Sequence, residues 1–132
     1  MIGLDTNILL RLILQDDDSQ SNRALVLVDS LSSEKPGFVN SAVLLEFIWT
    51  ARRYAKMTRE ELKIILCGFL DSDNLVLEDE SIIEMTLDEM DRSGEEFADI
   101  FIALKNREQG CRTTMTFDRN AARAIPHMEL LA

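Results

Sequence analysis

The sequence predicts an α/β fold in which helices flank a central, mostly parallel sheet of four to five strands. Short apolar runs, typical of strands, alternate with longer helical stretches along the whole chain. No repeat and no linker-like stretch interrupts this alternation. The length of 132 residues suits one domain with one hydrophobic core. We therefore expect residues 1–132 to form a single domain.

The first half of the chain begins with a strand and contains a clear break. Pro36-Gly37 is a pair that marks turns, and it separates the second predicted helix from the second strand. Ser41 is a residue type that favours helix N-termini, so we predict it as the cap of the third helix. In chain order we expect a strand at residues 1–4, helices at 8–14 and 19–31, a strand at 38–39, and a helix from 41 to about 56.

The second half opens with a capping signature. In the segment 58–61, the Thr58 hydroxyl and the Glu61 carboxylate can each satisfy a free backbone amide, as in a capping box. The helix that follows is expected to end near Asp71, and Gly110 suits the left-handed stop of a later helix. The other predicted elements are strands at 75–77, 112–116 and 128–130, and helices at 81–90, 95–109 and about 119–124.

The charge balance argues against broad, charge-driven binding to nucleic acid. The chain has 14 basic and 24 acidic residues and a net charge of −10, the reverse of a general nucleic-acid binder. A nuclease is still compatible with this balance, because metal ions held by carboxylates can offset the negative charge locally. Basic residues near the candidate site elements could contact a nucleic-acid backbone, namely Arg11, Arg52, Arg53, Lys56, Arg119 and Arg123.

Cysteine and histidine usage points to a reducing compartment without structural zinc. Cys67 and Cys111 are far apart in the sequence, and His127 is the only histidine, so a zinc site is not indicated. Reduced thiols are typical of cytosolic proteins. The apolar amino-terminal stretch is broken by Asp5 and Arg11 well short of a signal or membrane segment. We expect a soluble, cytoplasmic protein that does not bind membranes.

Four acidic residues stand alone in apolar stretches: Asp5, Glu46, Asp99 and Asp118. A lone buried charge is costly unless something compensates it. Asp5 and Asp118 follow predicted strands, where open α/β sheets place their ligand sites. Asp99 falls in the first turn of a helix, where backbone amides and the helix dipole favour an anion. At 100° per residue, Glu46 shares a partly apolar helix side with Val43, so we expect it to point inward.

A group of such carboxylates predicts metal-dependent chemistry. Carboxylates held close together repel one another, which favours occupancy by a hard cation. Oxygen-only ligands favour Mg²⁺ or Mn²⁺ over zinc. These ions support phosphodiester hydrolysis, because they lower the pKa of water and stabilise the departing oxygen. A metal-free ribonuclease would ordinarily use a pair of histidines as acid and base, and this chain has one.

Each of the four carboxylates also has a purely structural interpretation. Asp5 and Asp118 precede helical stretches, where aspartate is a favoured cap. Glu46 would face solvent if the helix were rotated about its axis, and Asp99 would be an ordinary first-turn acid. For single residues the structural and the metal-binding interpretations both stay open.

Four segments resemble the motifs of PIN-domain ribonucleases, specifically the VapC-type toxins of prokaryotic toxin–antitoxin pairs. The segments are LDTNILLR at 4–11, SAVLLE at 41–46, FADIFIA at 97–103 and TFDR at 116–119. Each motif is short, and the specificity lies in their order. Together they extend the resemblance over nearly the whole chain.

The resemblance implies a PIN-like three-layer fold and an endoribonuclease that hydrolyses RNA with Mg²⁺, or Mn²⁺ in its place. Asn7 and Thr116 are implied to form hydrogen bonds in or beside the metal site. A homodimer and a small cognate antitoxin, whose tail blocks the site, are implied partners. The implied metal-binding and catalytic residues are Asp5, Glu46, Asp99 and Asp118.

Two other classes of function fit part of the pattern. A receiver-like phosphoacceptor domain also places aspartates at strand ends, but it requires a paired acid after the first strand and a lysine after a late strand, and neither is evident. A non-catalytic protein-interaction module would keep the acids for structure alone. Some apolar positions could form a partner surface, although a core role is expected for most: Leu9, Leu12, Phe47, Trp49, Leu66 and Phe69.

Overall fold

The structure, a computed structural model that describes residues 1–131, confirms the α/β class. Within these residues seven helices alternate with five strands, and every strand pair is parallel. The chain divides into two compact units, of which the first is Met1–Asp79 and the second begins at Glu80. The five strands form a three-stranded and a two-stranded sheet instead of one central sheet. Local sequence patterns predicted the strands, but long-range pairing decides which sheet each one joins.

The first unit contains the three-stranded sheet, with strand order β1-β2-β3 and β2 in the centre. Strand β2 starts at Gly37, where an added Cβ would lie 2.8 Å from Leu4 Cδ1 and 3.0 Å from Leu31 Cδ1. A larger residue there would force these leucines to move. The elements are β1 (Ile2–Gly3), α1 (Thr6–Leu14), α2 (Asp18–Asp29), β2 (Gly37–Val39), α3 (Ser41–Arg53), α4 (Arg59–Asp71) and β3 (Leu75–Leu77).

One face of α3 forms part of the core of this unit. Leu44, Phe47, Ile48 and Ala51 are buried at the i, i+3, i+4, i+7 spacing of an amphipathic helix. The ring of Phe47 packs on that of Phe69 from α4, with centroids 5.7 Å apart. The opposite face of α3 is therefore directed away from the core of the unit.

The cap of α3 differs from the prediction, whereas the cap of α4 agrees with it. Asn40, not Ser41, caps α3, because its side chain accepts a 2.8 Å hydrogen bond from the Val43 amide. Ser41 is already the first helical residue, so its hydroxyl is not in the cap position. The predicted Thr58–Glu61 capping box at the start of α4 is confirmed.

The second unit contains the two-stranded parallel sheet. Phe97 and Phe101 stack within its core, with ring centroids 5.7 Å apart. Gly110 follows the second helix of this unit and has a φ of +96°. The predicted left-handed stop is therefore confirmed. The elements are α5 (Glu80–Ser93), α6 (Phe97–Glu108), β4 (Thr114–Thr116), α7 (Arg119–Ala124) and β5 (Met128–Leu130).

The helices of the described chain are all short. The longest of those within residues 1–131 is α5, with 14 residues. A helix that crosses a bilayer needs about 20 mostly apolar residues. None of the described helices has the length and apolar character that a membrane span requires.

Candidate functional site

Polar side chains gather at the carboxyl edge of the three-stranded sheet. Asp5 follows β1, Asn40 and Ser41 follow β2, and Glu78 and Asp79 follow β3. Because the three strands are parallel, their carboxyl ends lie at the same edge. Open α/β sheets bind ligands at this edge. Asp5 therefore occupies the position that its place after a strand predicted.

Asp5 caps helix α1 and keeps an oxygen for another partner. Its Oδ1 accepts a 2.8 Å hydrogen bond from the Thr6 amide. The side chain is exposed, and within residues 1–131 no other hydrogen bond or ion pair engages it. A carboxylate has two oxygens, and each can accept. The structural and the metal-binding interpretations of Asp5 are therefore compatible.

Glu46 lies on the outer face of α3, and the prediction that it points inward was wrong. The core side of the helix is taken by residues such as Leu44, Phe47 and Ile48. At 100° per residue, Glu46 lies almost opposite the centre of that side. Its side chain is exposed, and no hydrogen bond or ion pair engages it in the described part of the chain. Glu46 is thus an accessible carboxylate and not a buried charge.

Asp99 and Asp118, both in the second unit, interact through their charges. Asp99 is half-buried in the first turn of α6. Burial raises the pKa of its carboxyl most, and the negative charges of Asp118 and then Glu96 raise it further. A carboxyl that is held close to other acids and retains its proton more strongly is suited to exchange that proton for a hard cation.

Asp118 is held by two hydrogen bonds, one to a residue that precedes it in the sequence and one to a residue that follows it. Its Oδ1 accepts a 3.0 Å hydrogen bond from the Ala121 amide and so caps α7. Its own amide donates a 3.0 Å hydrogen bond to Thr116 Oγ1. Thr116 ends β4, and its carbonyl accepts a 2.8 Å hydrogen bond from the Leu131 amide. Thr116 therefore holds the backbone that carries Asp118.

Asn7 is exposed, and within residues 1–131 its side chain makes no hydrogen bond. The hydrogen bond implied for it is therefore not present in the described chain. The residue lines a cleft of about 240 Å³ between α1 and α2. Arg11 and Arg23 also line this cleft. The Arg11 side chain donates hydrogen bonds to Gln20 and Asp16.

The four predicted metal ligands are divided between the two units. Asp5 and Glu46 belong to the first unit, and Asp99 and Asp118 to the second. Across residues 1–131, no group of three or more His, Cys, Asp or Glu side chains is placed to hold a metal ion alone. Mg²⁺ is usually held by one or two carboxylates, with waters and substrate phosphates as its other ligands. The pair of Asp99 and Asp118 has the oxygen donors that suit such an ion.

Two carboxylates at the carboxyl edge of the three-stranded sheet were missed by the sequence reasoning. Glu78 Oε1 accepts a 2.8 Å hydrogen bond from the Ser41 amide, and Asp79 Oδ2 accepts a 2.7 Å hydrogen bond from the Ser41 hydroxyl. Asp79 has a φ of +59°, a left-handed conformation that is uncommon outside glycine. Both residues directly follow β3, so the strand-end argument used for Asp5 could have found them.

Comparison with known proteins identifies a family for this chain. A family model described as PIN domain matches residues 2–125. Proteins of this family have a three-layer α/β/α fold and are typically metal-dependent nucleases, generally with divalent ions such as Mg²⁺. No curated protein matches the sequence significantly. The matched range includes the four candidate carboxylates as well as Asn7 and Thr116.

Proposed function

This chain belongs to the PIN domain family, and from that premise we propose that it is an endoribonuclease dependent on Mg²⁺ or Mn²⁺. The observation that carries the proposal is the coupling of Asp99 to Asp118. Burial and then the neighbouring carboxylate raise the pKa of Asp99, so the fold disfavours the charged form of Asp99 beside Asp118. Such a pair costs stability when both groups are charged, and a bound cation removes that cost.

We assign metal binding to Asp5, Glu46, Asp99 and Asp118, and a positioning role to Thr116. Asp5 and Asp118 each direct one oxygen to a helix amide and leave the other for a ligand. A bound divalent cation supplies positive charge at the scissile phosphate and lowers the pKa of water. The chain's own part is to present fixed carboxylates, so that little reorganisation is needed when the ion and the phosphate arrive.

The finer assignment is the toxin of a type II toxin–antitoxin pair. Its support is the ordered set of motifs at 4–11, 41–46, 97–103 and 116–119, which resemble those of VapC-type toxins. The assignment carries three further expectations: an RNA substrate, a homodimer and a cognate antitoxin. It also places the protein in the cytoplasm, where its RNA would be.

Cleavage of RNA by the purified chain tests the proposal. We expect cleavage with Mg²⁺ or Mn²⁺ and none in EDTA. Asp5→Asn and Asp99→Asn should each cut at least about 100-fold more slowly, because even groups that only support metal ligands contribute 10–100-fold. Asp73→Asn, which changes an exposed acid outside the candidate site, is the matched control. Parental rates in both variants would show that the assigned roles are wrong.

Expression in cells tests the toxin assignment separately. The parental chain, produced without any partner, should arrest growth and create new RNA ends at defined positions. The Asp99→Asn variant should do neither while it accumulates to the same level. Cleavage in vitro without any growth defect would support the nuclease assignment and show that the toxin assignment is wrong. A chain that neither cuts RNA nor responds to Mg²⁺ would instead fit a non-catalytic interaction module, in which Asp5 and Asp118 serve as caps.

A further inference from the structure

The end of α3 carries an exposed aromatic pair beside an arginine. Trp49 is 51% exposed and Tyr54 is 68% exposed. Their rings meet edge to face with centroids 5.4 Å apart, and the Arg53 guanidinium lies 5.6 Å from the Trp49 ring centroid. Large exposed aromatic groups commonly mark binding surfaces. Trp49, Arg53, Tyr54 and the following Lys56 are called the Trp49 surface below.

The charge of this segment is opposite to that of the chain as a whole. Residues 47–59 contain no acidic residue, whereas the chain has a net charge of −10. The cations in this stretch are Arg52, Arg53, Lys56 and Arg59. Basic residues interleaved with aromatic ones are the pattern of a nucleic-acid contact surface. The segment therefore has a local positive charge that attracts phosphate, although the protein as a whole is acidic.

The Trp49 surface shares the outer face of α3 with a candidate site residue. Trp49 and Arg53 lie three and seven residues after Glu46, which places all three on one side of the helix. At 1.5 Å per residue, they are about 4.5 Å and about 10 Å further along the axis. A nucleotide stacked on Trp49 would thus lie beside the candidate site residue Glu46.

The composition of this face favours a nucleic acid over a protein partner. Between Glu46 and Arg53, the outer side of α3 offers one large aromatic ring among charged and polar groups, including Thr50. Trp, Tyr and Arg are also the residue types of protein-interface hot spots, so the charge decides between the two classes of partner. Residues 47–59 contain four cations and no acid, which matches a phosphate backbone. A nucleobase needs one exposed ring to stack on and a cation for its phosphate, and both are present.

We propose that the Trp49 surface binds unpaired nucleotides of an RNA substrate. One base stacks on the Trp49 ring, which the edge-on Tyr54 ring supports, and the adjoining phosphates contact Arg53 and Lys56. The RNA class rests on the proposed function. Paired RNA keeps its bases stacked on each other and offers no free face, so the surface selects single-stranded segments.

The fluorescence of Trp49 tests stacking directly, because it is the only tryptophan in the chain. The full chain is titrated in EDTA, which prevents metal-dependent cleavage, with an oligouridylate of about ten nucleotides, a length within the usual site sizes. We expect saturable quenching that weakens as salt is added. A duplex RNA of the same length should leave the emission unchanged. Equal quenching by the duplex, or none by either RNA, would overturn the proposal.

Anisotropy of labelled oligouridylate compares the variants. Trp49→Ala should weaken binding about tenfold, the effect of losing one base–aromatic stack, and Trp49→Phe should retain most of the affinity. Arg53→Gln and Lys56→Gln should each reduce affinity and its salt dependence. The matched controls, Ile64→Ala and Arg107→Gln, change exposed residues on other helices and should bind like the parental chain.

The outcomes separate this inference from the proposed function. If Trp49→Ala loses binding and the parental chain never cuts RNA, the Trp49 surface is supported as an RNA-binding site and the nuclease proposal is wrong. If the parental chain cuts RNA but Trp49→Ala binds RNA as tightly as the parent, the nuclease proposal is supported and the role of the Trp49 surface is wrong. Self-association that shifts Trp49 emission without RNA, and that Trp49→Ala abolishes, would assign the surface to a second copy and also overturn the proposal.

Discussion

Asp99 and Asp118 are linked by charge: burial first, and then the negative charge of Asp118, raise the pKa of the Asp99 carboxyl. The folded chain therefore binds the Asp99 proton more tightly than the unfolded chain does. The stability that this proton contributes is complete below the unfolded pKa of about 3.9 and is lost as the pH rises through the higher folded pKa. At neutral pH and without a cation, the charged Asp99 thus destabilises the fold.

The first prediction is that Asp99→Asn stabilises the metal-free protein at neutral pH. Asparagine removes the charge that burial and Asp118 oppose, and it keeps nearly the same shape. The gain should shrink as the pH falls to about 4 and below, where the parental carboxyl also becomes neutral. Urea unfolding midpoints at a series of pH values measure it. A variant less stable than the parent at pH 7 would contradict the sign, and Asp73→Asn serves as the control.

The second prediction concerns the cation. Mg²⁺ or Mn²⁺ should raise the free energy of unfolding, by about 2.7 kcal/mol when the ion is at 100 times its Kd. The rise should be much smaller in Asp99→Asn and in Asp118→Asn. Thermal unfolding with added MgCl₂, against NaCl at the same ionic strength, measures the difference. An equal rise in the parent and in both variants would place the ion elsewhere.

The third prediction separates the two roles of Asp118. Asparagine caps helices about as well as aspartate, so Asp118→Asn should keep the bond from the Ala121 amide and most of the stability. Asp118→Ala loses the cap and should cost about 1 kcal/mol. Both variants should lose cation binding, which isothermal titration calorimetry measures. Equal destabilisation by both substitutions would mean that the charge, and not the cap, holds α7.

The fourth prediction tests the capping box of α4. Thr58→Ala leaves the Glu61 amide without its side-chain acceptor and should lower the free energy of unfolding by about 1 kcal/mol. Thr58→Ser keeps a hydroxyl in the same place and should stay close to the parent. Urea denaturation of the three proteins gives the comparison. Unchanged stability in Thr58→Ala would indicate that α4 is held by packing alone.

Elements with strong local signals could be predicted from the sequence. Three elements have the predicted bounds, because short apolar runs and turn residues delimit them. They are the strands at Leu75–Leu77 and Met128–Leu130 and the helix at Arg119–Ala124. The Thr58–Glu61 capping box depends on residues three positions apart and is also local. The partition into two sheets is set by long-range pairing, which no short window contains.

The positions of the candidate residues could be predicted where the order of the elements decides them, but not where the rotation of a helix about its axis does. Asp5 and Asp118 follow strands, so their places could be read from the order of elements. Glu46 has apolar residues on both sides in the sequence, and only packing shows that Phe47 is inside and Trp49 outside. Asn40 and Ser41 are both capping types, so the choice between them depends on backbone angles.

Asp5 and Asp118, which follow β1 and β4, also cap the helices that come next. Asparagine can take over the cap, and a point mutation in an aspartate codon suffices to introduce it. If these carboxylates hold the proposed metal ion, a properly folded but inert form of this protein is one point mutation away. Under the proposed function, selection could therefore abolish cleavage and still leave the fold intact.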